Sequence, residues 1–273
     1  MIAAVFRIAL CACACALVTA GALAQAPPAS SVFIDDLTWT ELRDDIAAGK
    51  TTVIVPIGAT EQNGPWMALG KHNVRAKLLS EKIARTLGDA LVAPVISYVP
   101  EGQVDPPTQH MRFPGTITIP ETAFEQTLEY AARSFKRAGF RDIVFLGDHG
   151  GYQKSESAVA ARLNREWQAQ STRAHAIEEY YRATETAYVE MLKRRGYSRE
   201  EIGSHAGLAD TALTLALTPD LVRTAPLASA GKPTAAQGVH GDPRRATAEL
   251  GRLGVDIIVA QTVAAIRKAT TRR

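Results

Sequence analysis

Short apolar, β-branched runs alternate with amphipathic helical patterns along most of this 273-residue chain, and this alternation constrains its fold more than any other feature. Runs typical of buried strands lie at 51–57, 90–96, 142–146 and 173–177. Helical periodicity fills the intervening segments, most clearly at 73–87 and 121–138. Strands that alternate with helices form parallel sheets covered on both faces, so we predict an α/β fold with a mainly parallel sheet.

One large domain, residues 36–273, is expected. The chain is 46% hydrophobic, which is enough for one substantial core, and it shows neither an internal repeat nor a linker-like segment. Its later part is predicted to hold a polar helix at 178–195, a loop at 224–241 and a final helix at 244–266.

The first 24 residues have the pattern of a secretory signal peptide. A basic residue precedes an apolar run at 8–18, and Ala22-Leu23-Ala24 forms a small-x-small cleavage site. The run is too short for a membrane-spanning helix. We expect a mature N-terminal tail at 25–35, export to the periplasm or the medium, and no stable membrane insertion.

All three cysteines, Cys11, Cys13 and Cys15, lie in this segment. The mature chain would therefore contain no disulfide and no thiolate ligand or nucleophile. Leu10-Cys11 loosely matches a lipoprotein cleavage box, but it falls so early in the apolar run that soluble export is favoured.

The charge pattern argues against a nucleic-acid partner. The formal net charge is +3, and basic residues are scattered apart from short clusters such as 193–195. A nucleic-acid interface needs concentrated basic surface and usually aromatic platforms.

Residue types that bind metals follow two of the predicted strands or begin a helix. They are Glu61 and His72, then His149, then His205 with Asp210. Active sites of open α/β sheets lie at the carboxyl ends of strands, and imidazole with carboxylate suits Zn²⁺, Mn²⁺ or Fe²⁺. The chain has no HExxH, GxSxG, GxGxxG or P-loop motif. The absence of these motifs argues against a zinc protease, an α/β-hydrolase, a dinucleotide-binding protein and a P-loop NTPase, respectively.

A long loop at 97–115 stands out in a chain otherwise built of short connections. It holds Glu101, Asp105, His110 and Arg112. Long loops in compact domains are functional or disordered, and this content favours a functional one.

Six sequence blocks follow one another between roughly residues 50 and 265. They are PIGATEQNGP, LGKHN, FPGTITI, GDHGGY, SHAGLADTALTLAL and GVHGDPRRATAELG. In these blocks the chain resembles the creatininase (creatinine amidohydrolase) family. The resemblance implies a three-layer α/β/α sandwich, metal-dependent hydrolysis of amide bonds, and ring-like homo-oligomers that are often hexamers.

The first family motif, E-x-H-G-x-H-L-P-x-x-x-D, is only partly kept. Glu61 matches its glutamate, whereas Asn63 and Trp66 replace two histidines, Ala68 replaces the proline and His72 replaces the aspartate. The resemblance implies that this aspartate bridges two metals. An imidazole nitrogen does not bridge two ions as two carboxylate oxygens do, so the substitution favours one metal per chain.

Carried over residue by residue, the resemblance gives a predicted metal site. Glu61, His72 and His149 form a two-histidine, one-carboxylate set that leaves a position for water, and Asp210 is either a fourth ligand or a partner that orients a histidine. Zinc is the favoured metal, with manganese and iron as alternatives.

The predicted reaction is metal-assisted hydrolysis of an amide or cyclic amide C–N bond in a small molecule. The metal would lower the pKa of bound water towards ~7. His205 is the predicted general acid/base. His110 is predicted to contact the substrate, and Trp66 to pack or to form a pocket wall at the substrate site.

An alternative remains open at this point. Asn63, Trp66 and Ala68 have all departed from one motif, and on this alternative the chain keeps the fold as a catalytically inactive periplasmic binding or assembly protein. Creatinine itself is a doubtful substrate, since the predicted metal site differs from the family's. His175 and His240 are interpreted as structural.

Overall fold

The computed structural model describes residues 31–271, so the predicted signal peptide and residues 25–30 of the predicted tail lie outside the described residues. The strands are β1 (Thr52–Ile57), β2 (Ala90–Val92), β3 (Asp142–Gly147) and β4 (Arg173–Ala176). The α-helices are α1 (Trp39–Ala47), α2 (Lys71–Leu87), α3 (Glu121–Ala138), α4 (Gln153–Glu166), α5 (Glu179–Glu185), α6 (Ala187–Arg194), α7 (Arg199–Ile202), α8 (Leu208–Leu217), α9 (Thr224–Ala228) and α10 (Ala248–Thr270). Short 3₁₀ turns lie at Ile34–Asp36, Gln109–Arg112, Gly150–Tyr152, Pro219–Leu221, Ala235–Gln237 and Pro243–Arg245.

The described strands form one parallel sheet in the order β2-β1-β3-β4. β1 and β3 pair over their whole length, from Thr52 opposite Asp142 to Ile57 opposite Gly147. The predicted parallel sheet is therefore confirmed. The predicted strand at 90–96 is shorter, because its later part makes only an isolated bridge, between Ile96 and Ile57.

Side chains that alternate along the strands divide the core into two layers, as the twofold repeat of a strand requires. Ile54 and Val144 face one side, where they belong to a cluster with apolar residues of α2, α5, α6, α8 and α10. Val53 and Phe145 face the other side, with α1, α3 and α4. Helices cover both faces of the sheet, which confirms the three-layer α/β/α sandwich.

The start of the described range packs on the sheet. Val32 is only 8% exposed, its carbonyl accepts a hydrogen bond from the Val92 amide at 2.7 Å, and Phe33 bridges to Val92. The described part of the predicted tail, residues 31–35, therefore includes residues that pack on the sheet.

Three predicted segments in the later part of the chain need correction. The helix expected at 178–195 is two helices, α5 and α6, separated where Thr186 leaves the helical region with φ −118° and ψ −84°. The loop expected at 224–241 contains α9. The final helix starts later than Arg244, because the Thr247 hydroxyl caps α10 by accepting from the Leu250 amide. No helix among residues 31–271 is both long and apolar enough to span a membrane.

The sheet brings three loops together at one edge. Because β1 and β3 end side by side at Ile57 and Gly147, the loops that follow them meet there. The bridge between Ile96 and Ile57 leads the start of the long 97–115 loop to the same place. This edge is the one at which parallel α/β sheets position their ligands.

Candidate metal centre

The loop after β1 is held so that Glu61 is directed into the protein. A side chain at Gly58 would collide with Asn73 of α2, so glycine permits the close approach, and the Ala59 amide donates to Oδ1 of Asn73 at 3.1 Å. The Asn63 amide group donates to the carbonyls of Glu61 (2.9 Å) and Ala68 (3.0 Å). Asn63 therefore organises the loop, and Glu61 is fully buried.

Four residues bring metal-ligand atoms to within 4.8 Å of one another: Glu61, Glu101, His110 and His149, hereafter the four-residue cluster. Oε2 of Glu61 lies 3.2 Å from Nε2 of His110 and 3.6 Å from Nε2 of His149. Oε1 of Glu101 lies 3.6 Å from Nδ1 of His149. Two carboxylates and two imidazoles are a donor set suited to a divalent transition metal.

The carboxylates of this cluster have oxygens that the protein leaves without hydrogen bonds. Oε2 of Glu61 and both oxygens of Glu101 are buried with no hydrogen-bond partner. Such groups are expensive to bury, and each needs an explanation. Burial and the neighbouring charge of Glu61 raise the pKa of Glu101 to about 9. A cation at this point would satisfy all three oxygens, so the residues fit a metal ion.

The two histidines of the cluster are in the form that binds metals. Burial lowers the pKa of His149 to about 4 and also lowers the pKa of His110, and in each case it outweighs the opposing charge of Glu61. Both rings are therefore neutral near pH 7, as metal ligands must be.

Gln62 orients two of the imidazoles that surround Glu61. Its side-chain nitrogen lies 3.0 Å from Nδ1 of His110 and 3.0 Å from Nε2 of His205, while its side-chain oxygen accepts from the Gly64 amide. Nε2 of His205 also lies 2.9 Å from the Gln62 carbonyl. Burial, and then the charge of Lys71, lower the pKa of His205 to about 3, which makes this ring neutral as well.

His72, a predicted metal ligand, has other partners in the structure. Its Nε2 lies 2.7 Å from Oε1 of Glu61, and its Nδ1 lies 2.6 Å from Oδ2 of Asp148. Nη2 of Arg75 also lies 3.2 Å from Nδ1 of His72. Asp148 also accepts from Arg75 and from the Tyr180 hydroxyl. The structure thus leaves His72 outside the four-residue cluster, with neither nitrogen free for an ion.

Asp210, the other predicted ligand outside the cluster, is held by cations. Its Oδ2 accepts from Nζ of Lys71 at 2.8 Å and from the Ala206 amide at 2.9 Å, and its Oδ1 accepts from Nη1 of Arg75 at 2.8 Å. Although burial opposes ionisation, Lys71 and Arg75 keep the pKa of Asp210 well below its usual range. Its oxygens are therefore already satisfied within the protein.

A cavity of about 740 Å³ opens onto the cluster, and its lining includes His110, His149, His205, Arg112 and Tyr181. The fully buried Glu61 and Glu101 lie behind this lining. Glycine at position 150 keeps the cavity open, since a Cβ there would lie 2.7 Å from the Tyr181 hydroxyl.

The structure places the two predicted substrate contacts differently. His110 lines the cavity but also belongs to the four-residue cluster. Trp66 packs against a small apolar cluster that includes Met67 and Val222, away from the residues that line the cavity. Of the two roles predicted for Trp66, packing and a pocket wall, the structure shows packing.

Glu101 is the residue of the four-residue cluster that was not among the predicted site residues. It lies on the long loop that the sequence marks as functional, with His110 on the same loop. The signal was thus a carboxylate and a histidine nine residues apart in an unusually long connection. Spacing alone does not show that the loop folds back to bring both against Glu61.

Comparison with known proteins agrees with this geometry. The family model described as Creatininase: Creatinine amidohydrolase matches residues 35–266. The chain is 29% identical to a creatinine amidohydrolase of Pseudomonas putida over 197 residues, which cover 70% of this chain and 74% of that protein. It is 30% identical to a mycofactocin precursor peptide peptidase of Mycolicibacterium smegmatis over 220 residues, which cover 73% of this chain and 77% of that protein.

Solved structures show the same relationship. A creatininase in a manganese form aligns with a TM-score of 0.72 at 27% identity, covering 89% of this chain and 100% of that one. The family match extends over most of the domain and includes all four residues of the cluster. The chain therefore belongs to the creatininase family of metal-dependent amidohydrolases.

Proposed function

We propose that this protein hydrolyses an amide or cyclic amide C–N bond in a small molecule, with one divalent metal ion held by Glu61, Glu101, His110 and His149. The observation that carries the proposal is the set of three buried carboxylate oxygens without partners, beside two neutral imidazoles. Compared with the site predicted from sequence, Glu101 and His110 take the places of His72 and Asp210 as ligands.

Zinc remains the favoured ion, with manganese and iron as alternatives, because imidazole and carboxylate donors accept all three. When bound, such an ion supplies an acidified water and polarises the substrate carbonyl. The protein's own groups do the rest. His72 fixes Glu61 from the side away from the cluster, at 2.7 Å, and Gln62 orients His110.

His205 is the proposed proton-transfer residue. Its ring lines the cavity, its Nδ1 lies 3.7 Å from Oε1 of Glu61, and its Nε2 is held by Gln62. The neutral ring has a nitrogen that can accept a proton from the attacking water, and the burial that lowers its pKa to about 3 makes it a weak base until the site is occupied.

A small amide is the proposed class of substrate. The cavity volume of about 740 Å³ lies within the range of small-molecule sites. The two curated relatives are named for different substrates, creatinine and a precursor peptide, so the family does not fix the substrate of this chain. The cluster itself favours a hydrolase over the inactive binding-protein alternative, because that role gives no reason to retain unpaired buried carboxylates.

Location and assembly rest on sequence alone. We propose an exported protein on the pattern of residues 1–24, which N-terminal sequencing of the mature protein tests directly. We also propose a homo-oligomer, following the family resemblance, and light scattering coupled to size exclusion measures its mass.

The deciding experiment is replacement of His149 by Ala. We expect metal content measured by mass spectrometry to fall from about one ion per chain to near zero, together with loss of amidase activity on a panel of small amides. His175→Ala is the matched control, because His175 pairs with Asp142 at the opposite end of β3 and should retain both properties. Full metal content in His149→Ala would contradict the proposed ligand set.

A further inference from the structure

We infer that the ammonium of Lys71 takes the place of a second divalent ion in this centre, so that the protein pairs one bound metal with a fixed positive charge of its own. The inference rests on the proposed metal centre and extends it. It is carried by the juxtaposition of Lys71 with Glu61, Asp210 and His205.

Lys71 is a lysine of an unusual kind, since its side chain is completely buried. Its Nζ lies 2.8 Å from Oδ2 of Asp210 and 3.9 Å from Oε1 of Glu61. An ammonium is costly to remove from water unless carboxylates compensate its charge, and here two carboxylates do so. Lys71 is therefore built into the centre as the partner of two carboxylates.

The groups around this ammonium form a donor set for a divalent ion. Oε1 of Glu61 and Oδ2 of Asp210 are carboxylate oxygens, and Nδ1 of His205 lies 3.7 Å from the same Glu61 oxygen. Two carboxylates and one imidazole would bind zinc or manganese well. In this protein Lys71 lies among them instead.

Charge balance explains why a second ion does not fit while Lys71 is present. Lys71 and Arg75 together compensate Asp210, and Arg75 also binds Asp148. An ion beside them would add two positive charges next to an existing buried pair without any uncompensated carboxylate to receive it. Like charges in such a place repel strongly.

Replacing Lys71 by methionine, which is unbranched like lysine but ends one atom earlier and lacks the ammonium, tests the inference. Each protein is equilibrated with excess Zn²⁺ and desalted, and zinc per chain is measured by mass spectrometry, with affinities from calorimetry. We expect about one ion in the wild type and about two in Lys71→Met. The double variant Lys71→Met/Asp210→Asn should return to about one, because it removes the new ligand.

Lys82→Met is the matched control, since Lys82 is exposed on the same helix and should leave the zinc content at one. Should Lys71→Met fold only when zinc is present, protein refolded in zinc gives the same readout. Lys71→Gln, which can still donate to Asp210 but carries no charge, is the second variant and should also gain an ion.

The outcomes separate this inference from the proposed function. One ion in both the wild type and Lys71→Met overturns the role of Lys71 and leaves the four-residue cluster intact. Two tightly bound ions in the wild type overturn it as well. No zinc in the wild type at micromolar concentration contradicts the metal centre itself, and the inference falls with it.

Discussion

The two oxygens of Glu61 face surroundings of opposite kinds. On the Oε2 side lie Glu101, His110 and His149, where buried carboxylate oxygens have no hydrogen-bond partner. On the Oε1 side the reverse holds, and His72 and Lys71 are both directed at the oxygen. One carboxylate thus joins an unsatisfied region to a satisfied one.

The second region is satisfied by polar groups of the protein itself. Lys71, His72 and Arg75 of α2 lie against Asp148 and Asp210 at 2.6–2.8 Å. A group that is already paired gains little from binding an ion, whereas an unpaired buried carboxylate gains much. Residue type alone therefore does not separate the two regions, whereas the hydrogen bonding of their carboxylates does.

The largest expected effect comes from removing a carboxylate on the unsatisfied side. Glu101→Gln keeps the shape of the side chain but cannot ionise to the carboxylate that would bind a metal ion, so metal affinity should fall by more than the roughly 10–100-fold that loss of a supporting partner costs. Amidase activity should be lost with it. Calorimetric titration of metal-free protein with Zn²⁺ measures the affinity.

The control for this variant is Glu156→Gln. Glu156 is also buried and its Oε1 is without a hydrogen-bond partner, but it is not part of the four-residue cluster. Its variant should bind zinc as the wild type does. Equal affinities for all three proteins would show that Glu101 is not a ligand.

On the Oε1 side of Glu61, we expect a substitution to lower the free energy of unfolding. Arg75→Met leaves Asp148 and Asp210 with one cation fewer in a buried place, and breaking such a pair costs about 3–5 kcal/mol in the free energy of unfolding. Denaturant unfolding of the metal-free proteins measures this loss.

Arg133→Met provides the comparison for this effect. Arg133 binds Glu129 and Glu166 at the surface, where an ion pair contributes at most about 1 kcal/mol. Arg75→Met should still bind about one zinc ion if it folds. A loss no larger than that of Arg133→Met would show that the buried network is not the stabilising element described.

The smallest expected change in stability comes from replacing Glu156, which lies outside the four-residue cluster. Burial raises its pKa well above the ordinary value of 4.5. A carboxyl group whose pKa is higher in the folded state contributes stability below its unfolded pKa and loses it as the pH rises towards the folded pKa. Gln does not titrate, so Glu156→Gln should match the wild type near pH 4 and exceed it by about 1–3 kcal/mol at pH 8.

Thermal or denaturant unfolding of both proteins between pH 4 and pH 8 checks this prediction. Any pH dependence of the difference in unfolding free energy comes from Glu156 of the wild type, because the two proteins share all other titrating groups. A difference in stability that does not change with pH would contradict protonated Glu156 in the folded protein.

The layers of the fold were readable from the sequence because they depend on local periodicity. Buried β-branched runs and amphipathic helices specify strands and covering helices, and the sheet and sandwich follow from their alternation. The break between α5 and α6 at Thr186 was not readable, since no proline or glycine marks it. Buried side chains lie on both sides of the break, Tyr180 and Ala183 in α5 and Tyr188 and Val189 in α6.

The site was only partly readable for a different reason. Glu61 and His149 were expected together because they follow β1 and β3, which end side by side. His72 and Asp210 looked equally good by position. In the structure Lys71 donates to Asp210, and Arg75 donates to Asp148, which also contacts His72. Lys71 and Arg75 lie one helical turn apart on α2, and no sequence motif indicates that their side chains are buried.

The coordination of the bound metal is the most direct test of the proposed one-metal site and of the role of Lys71. A crystal structure of zinc-loaded protein, with anomalous scattering at the zinc edge, should show one ion bound by Glu61, Glu101, His110 and His149, with Lys71 still on Asp210. An ion bound by His72 or Asp210, or a second ion between Glu61 and Asp210 in the wild-type protein, would contradict it.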